Sequence, residues 1–161
     1  MAVLNDKGEP ILIFKQGERL HLYCEFQLKN DIEVPVINIE IRDNLNLLIH
    51  SKDSIQNNTQ APFSTPRNSI VHYSQIITLN IAPGNYIFNI SCSFLSKENY
   101  EQLEKVGYKT TIKRMAHLWR LDQAFAIAVL ARFGEALELL HGGLCDLPGS
   151  GQIQISNSKP P

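Results

Sequence analysis

The sequence predicts an all-β domain of antiparallel strands, and three of its features carry that prediction. From Arg19 to Leu28, the residues Leu20, Leu22, Cys24, Phe26 and Leu28 alternate with Arg19, His21, Tyr23, Glu25 and Gln27, the period of two that a half-buried strand requires. Between Ile76 and Phe94 two further alternating runs, Ile77, Leu79, Ile81 and then Tyr86, Phe88, Ile90, Cys92, Phe94, flank Pro83-Gly84. Pro presets φ for a corner and Gly accepts a positive φ, so this pair reads as the tight turn of a central hairpin. Turn-forming clusters at Asn5-Asp6-Lys7-Gly8, Gln16-Gly17-Glu18, Lys29-Asn30-Asp31 and Asp43-Asn44-Leu45-Asn46 separate the strands.

In chain order, Pro10 to Phe14 reads as a short first strand whose Pro suits an edge or a strand start. Arg19 to Leu28 follows as the second. Pro35 opens a third, with Ile37, Ile39 and Ile41 facing in and Val36, Asn38, Glu40 and Arg42 facing out. Asn46 can take the left-handed conformation, and it leads into a fourth strand at Leu47 to His50. The segment 51–69 is polar, contains Pro62 and Pro66 and lacks periodicity, so it reads as a long surface loop. After the hairpin, Ser96 can cap a short helix with Tyr100, Leu103 and Val106 on one face and Gly107 as its stop. The segment 112–141 is ambiguous: its Ala, Leu and Glu content favours helix, while Leu121, Gln123, Phe125, Ile127 and Val129 alternate as in a strand. Gly142-Gly143 and Pro148-Gly149 stop it, and Gln152 to Ile155 reads as a weak last strand. A single domain is expected over 1–156, with a disordered tail over 157–161.

At 161 residues with 43% hydrophobic and 19% charged side chains, the chain can bury a core without disulfides or metals. A net charge of -1 offers no basic field for nucleic acid or an anionic membrane. No signal peptide and no apolar run of membrane-spanning length is present, which makes a cytosolic compartment the default expectation. The cysteines, Cys24, Cys92 and Cys145, form no C-x-x-C pair. Cys24 and Cys92 fall on inward parities where an inter-sheet disulfide would sit in an immunoglobulin domain; a cytosolic setting favours two reduced thiols instead.

Read as anchors, the chain shows Asp6-x-Gly8, Phe14-x-x-Gly17-Glu18-x-Leu20-x-Leu22, Ile41-x-Asp43, Leu79-x-Ile81-x-Pro83-Gly84-x-Tyr86, Asp122-x-x-Phe125-x-Ile127 and Gly143-Leu144-Cys145-Asp146-Leu147-Pro148. This order resembles the C-terminal carbohydrate-binding domain of Wzt-type ABC transporters, which export O-antigen polysaccharides. The resemblance implies an immunoglobulin-like antiparallel β-sandwich with one or two short helices, binding of the non-reducing end of a finished glycan, and a homodimer formed through the last strand. It also implies a strand over 121–130, against helix propensity. Asn46 stands where the family usually has Gly, and the stretch 97–115 is longer than its usual link. No G-x-x-x-x-G-K-[ST] occurs, so ATP hydrolysis would belong to a transporter nucleotide-binding or membrane partner, at the cytoplasmic side of the inner membrane.

Catalysis finds little support in the residues. No acid pair converges, no nucleophile elbow occurs, and His21, His50, His72, His117 and His141 lack ligand spacing, so neither enzyme activity, cofactor nor metal is expected. A saccharide site needs only planar polar side chains and an aromatic face. With the strand order that the resemblance implies, Asn38 and Glu40, then Asn89 and Ser91, share an outward sheet face with Asp122, Ala124, Ala126 and Ala128, flanked by His117, Trp119 and Arg120. These seven, Asn38, Glu40, Asn89, Ser91, His117, Trp119 and Arg120, are the candidate carbohydrate-binding residues. The small residues equally admit a second subunit, which makes the rival reading a structural or dimerisation module in a glycan-modifying or polysaccharide-export complex. Trp119 has its own alternative as a packed anchor.

Overall fold

The computed structural model describes residues 1–132. Its strands are β1 (Ala2–Leu4), β2 (Ile13–Lys15), β3 (Arg19–Gln27), β4 (Val34–Asp43), β5 (Leu48–Asp53), β6 (Ile70–Thr78), β7 (Gly84–Leu95) and β8 (Ala116–Leu130). They form two sheets, β1-β3-β6 and β2-β8-β7-β4-β5, which make an all-β sandwich. All pairings are antiparallel except β2 with β8, which is parallel. Leu20, Leu22 and Cys24 of β3 and Tyr73 and Ile77 of β6 meet Ile37, Ile39, Ile41, Phe88, Ile90, Cys92, Ile127 and Val129 across the interface between the sheets. Phe88 and Phe125 stack on adjacent strands with centroids 4.4 Å apart.

The central hairpin is not formed. β6 pairs only with β3 and β7 pairs with β4 and β8, so the connection through Pro83-Gly84 carries the chain from one sheet to the other. Alternation reports that both strands bury one face; it cannot report whether they lie side by side or face to face across a core. Gly84 is not among the glycines of positive φ, and it already begins β7. The corner is fixed instead by Tyr86, whose hydroxyl donates to the Ala82 carbonyl at 2.6 Å. Elsewhere the turn chemistry holds as read: Gly8, Gly17 and Asn46 all have positive φ, and the Asn5 side chain accepts from the Lys7 and Glu9 amides.

Several bounds differ from expectation. The first strand lies at 13–15 rather than 10–14, Pro10 making only an isolated bridge with Leu4, and the short strand β1 precedes it. The fourth strand runs on to Asp53, so the long loop begins three residues later than expected. Its ends are anchored by buried Ser54 and Thr65, with Ile32 and Thr65 exchanging backbone hydrogen bonds. The segment 121–130 is a strand, as the resemblance implied and propensity did not, and the strand begins five residues earlier, at Ala116, because both ends of 116–130 pair along β7. The expected last strand at 152–155, the Gly143 to Pro148 anchor, Cys145, His141 and the tail at 157–161 lie outside the described residues.

The helical link between β7 and β8 decides which part of the outer face stays open. Ser96 caps α1 (Lys97–Glu101), its hydroxyl accepting from the Asn99 amide; α2 (Leu103–Val106) stops at Gly107 with φ of 78°, and α3 (Tyr108–Thr111) follows. Tyr100 and Met115 pack with Ile55 and Ala61 onto Val34, Val36 and Leu95. These three belong to the face turned away from the main core, so Val36, expected to face solvent, is 2% exposed. One end of that face is dry and covered. The other end, beyond Asn38, is open and polar.

A polar groove on the outer face of the five-stranded sheet

The open end is organised around Glu40. Arg120 of β8 grips its carboxylate with Nη1 to Oε1 at 3.0 Å and Nη2 to Oε2 at 2.8 Å, and turns its Nε to Asp122 at 2.6 Å. Arg42 donates its Nε to Glu40 at 3.3 Å and its Nη1 to the Asn46 carbonyl at 2.9 Å. Asn89 Nδ2 completes the ring at 3.5 Å. Arg120 first, then the Asn89 amide and Arg42, hold the Glu40 carboxyl below the usual range although burial opposes them. Arg120 is correspondingly held in its charged form by Glu40 and Asp122.

A local irregularity in β8 shapes the groove beside this network. Phe88 lies opposite Phe125 and Ile90 opposite Leu121, so Asp122, Gln123 and Ala124 bulge against Asn89 alone. Gln123 adopts φ of 52°, and its amide donates to Asn89 Oδ1 at 2.8 Å. Asn89 is 6% exposed, with both halves of its amide engaged, so it positions the bulge and Glu40. The resulting groove of about 430 Å³ is lined by Arg42, Asn46, Ile87, Asn89, Arg120, Asp122 and Gln123.

Five of the seven residues singled out from the sequence come together on this face. Glu40 lies opposite Asn89, Asn38 opposite Ser91, and Ser91 opposite Arg120; Asn38 also accepts from Ser51 at 3.2 Å. His117 is opposite Ser93, near the start of β8, and does not line the groove. Trp119 is elsewhere. It lies opposite fully buried Cys92, which places it on the inward side, where its ring meets Phe26 edge-on at 5.1 Å. The packed alternative for Trp119 describes its ring better than membership of the outer trough. Arg42 and Asp122 share outward parities and were legible as members of the site. Gln123 was not, because its inward parity is reversed by a bulge that alternation does not show.

A two-sheet β-sandwich with a polar groove on one outer face defines a class of domain by its fold, not a particular protein. The model of the Wzt C-terminal domain family matches residues 1–112, and the chain belongs to that family. β8 lies beyond the match, yet it completes the sheet and supplies Arg120 and Asp122. Among solved structures, a crystal structure of the C-terminal domain of Wzt superposes with a TM-score of 0.69 at 13% identity, covering 94% of this chain and 80% of that one, which shows a shared fold. No curated protein matches the chain.

Proposed function

We propose that this domain is a non-catalytic carbohydrate-binding module of an ABC exporter for O-antigen-like polysaccharide, and that the groove around Glu40 and Arg120 holds the glycan on the cytoplasmic side before export. The observation that carries the reading is the closed charge of the groove. Arg42 and Arg120 are matched by Glu40 and Asp122, so no net charge faces the ligand. The carboxylates fix both guanidinium planes while part of each fork stays free, offering rigid donors to hydroxyls of an uncharged sugar stretch. Half-buried Ile87 and exposed Ala126, opposite each other on β7 and β8, leave a low apolar floor for the C–H face of a ring. A nucleotide-binding or membrane subunit would supply ATP hydrolysis, and a homodimer would raise the weak affinity expected of a single site through avidity.

Calorimetric titration with lipid-free O-polysaccharide tests the reading. Ala126→Trp fills the floor and is expected to abolish the heat while the domain stays folded. The same small residues favour the second reading, in which another subunit packs on this face. Sedimentation of Ala126→Trp decides between them, because loss of an oligomer in a parent that shows no glycan heat assigns the face to protein contact.

A further inference from the structure

The geometry points to a second saccharide subsite, built around Trp119 on the opposite side of β8 from the groove. It rests on the glycan reading given above and extends it to a surface that the groove does not include. Trp119 and Arg120 are consecutive residues of a strand, so their side chains leave β8 in opposite directions. Arg120 enters the Glu40 network. Trp119 turns to the end of the sandwich where β3 runs out, and there it lines a cleft of about 400 Å³.

One wall of that cleft is Leu118 and Trp119, and the other is formed by Leu28, Lys29, Asn30 and Ile32 from the turn between β3 and β4. Leu28 and Ile32 are buried, so their side chains give the cleft an apolar floor. Phe26 holds the indole edge-on at an interplanar angle of 76°, and the ring is only partly covered. Among the described residues, no hydrogen bond or ion pair engages the indole N–H, the Asn30 amide or the Lys29 ammonium. The cleft therefore combines a fixed aromatic surface with three uncommitted polar groups at its rim. That combination suits a pyranose, whose C–H side lies on an apolar or aromatic surface while its hydroxyls bond outward. An aliphatic chain would leave the rim donors unanswered.

Among the described residues, the edge of β8 between the two sites is open. β2 pairs with β8 only from Ala128 to Leu130, so among the described residues no strand covers the edge from Ala116 to Ile127. One glycan can therefore pass over this edge, with one unit in the groove and another on Trp119.

Trp119 is the single tryptophan of the chain, so its emission reports this cleft alone. The probes are lipid-free O-polysaccharide fragments of graded length and methyl glycosides of common hexoses, deoxyhexoses and N-acetylhexosamines. Each is titrated by calorimetry and by tryptophan emission, against the parent chain and against Lys29→Ala, Asn30→Ala and Arg120→Ala. The expected result is a saturable emission change at the concentrations that give heat, with Lys29→Ala and Asn30→Ala weakening it severalfold. Heat without any emission change, with both cleft variants binding as the parent does, overturns the subsite and leaves the groove reading standing. An emission change that Arg120→Ala does not affect, together with heat that it does not reduce, keeps the cleft and removes the groove. Neither heat nor emission change with any probe overturns both.

Discussion

Arg120 on β8 and Glu40 on β4 are joined by a two-pronged ion pair although β7 lies between their strands. The reach is possible because the residues of β7 beneath it, Asn89 opposite Glu40 and Ser91 opposite Arg120, are short. A larger side chain at Ser91 would stand under the guanidinium. Ser91→Leu is therefore expected to part the pair and reduce glycan affinity severalfold, with little change in the thermal midpoint; calorimetry and thermal melting read the two effects separately.

The Glu40 carboxyl, 15% exposed, is held below its usual range by Arg120, so its contribution to stability has a defined pH window. A depressed folded value means the contribution is complete above the unfolded value of about 4.3 and is lost as pH falls through the folded value. Glu40→Gln leaves two arginines facing each other without the anion and is expected to cost about 1–3 kcal/mol at pH 7. Urea unfolding as a function of pH should show the gap between parent and variant shrinking below about pH 4. A gap that widens on acidification would contradict the assignment.

The bulge offers two changes of opposite sign. Asn89→Ala removes the acceptor for the Gln123 amide and is expected to destabilise by about 1–3 kcal/mol, seen as a lower urea midpoint at unchanged slope. Gln123→Gly relaxes a non-glycine residue at positive φ and is expected to be neutral or to stabilise by up to about 1 kcal/mol. Loss of stability in Gln123→Gly would show that its side chain contributes more than its backbone costs.

Tyr108 in α3 donates its hydroxyl to Asp53, which is 4% exposed at the end of β5 and caps the Gln56 amide with its other oxygen. The hydroxyl titrates well above its usual range, so it remains a donor through neutral and mildly alkaline pH. Tyr108→Phe leaves a buried carboxylate oxygen without its donor and is expected to cost about 1–3 kcal/mol. Hydrogen exchange of the 97–115 link should accelerate in the variant, since this contact ties the link to the sheet.

Cys24 and Cys92 are free and buried, and burial raises both thiols, Cys92 to about 12. Neither is expected to react with iodoacetamide at neutral pH until the domain unfolds. Peptide mapping after labelling of native protein checks this, and modification of either in the native state, or a disulfide between them, would overturn it.

The sequence alone determined which residues of β3 and β4 turn to the main core, because alternation is a local property that burial of one face imposes on a regular strand. It determined the turns at Gly8 and Asn46 and the helix cap at Ser96 for the same reason, since each is satisfied by bonds within a few residues, whereas the Gly17 amide finds its acceptor only at Leu79. On the outer face, Asn38, Glu40, Asn89, Ser91 and Arg120 were legible once the strand order was supplied by likeness to a family. What only the tertiary structure decided is non-local. It assigned β6 and β7 to different sheets, which their shared alternation could not distinguish from a hairpin. It covered Val36, which alternation alone places in solvent, with a helical link, and it put Trp119 and Arg120 on opposite sides of β8. The Gln123 amide turned outward only because Asn89, 34 residues earlier, accepts its hydrogen bond, and that partner exists only after the sheet has formed.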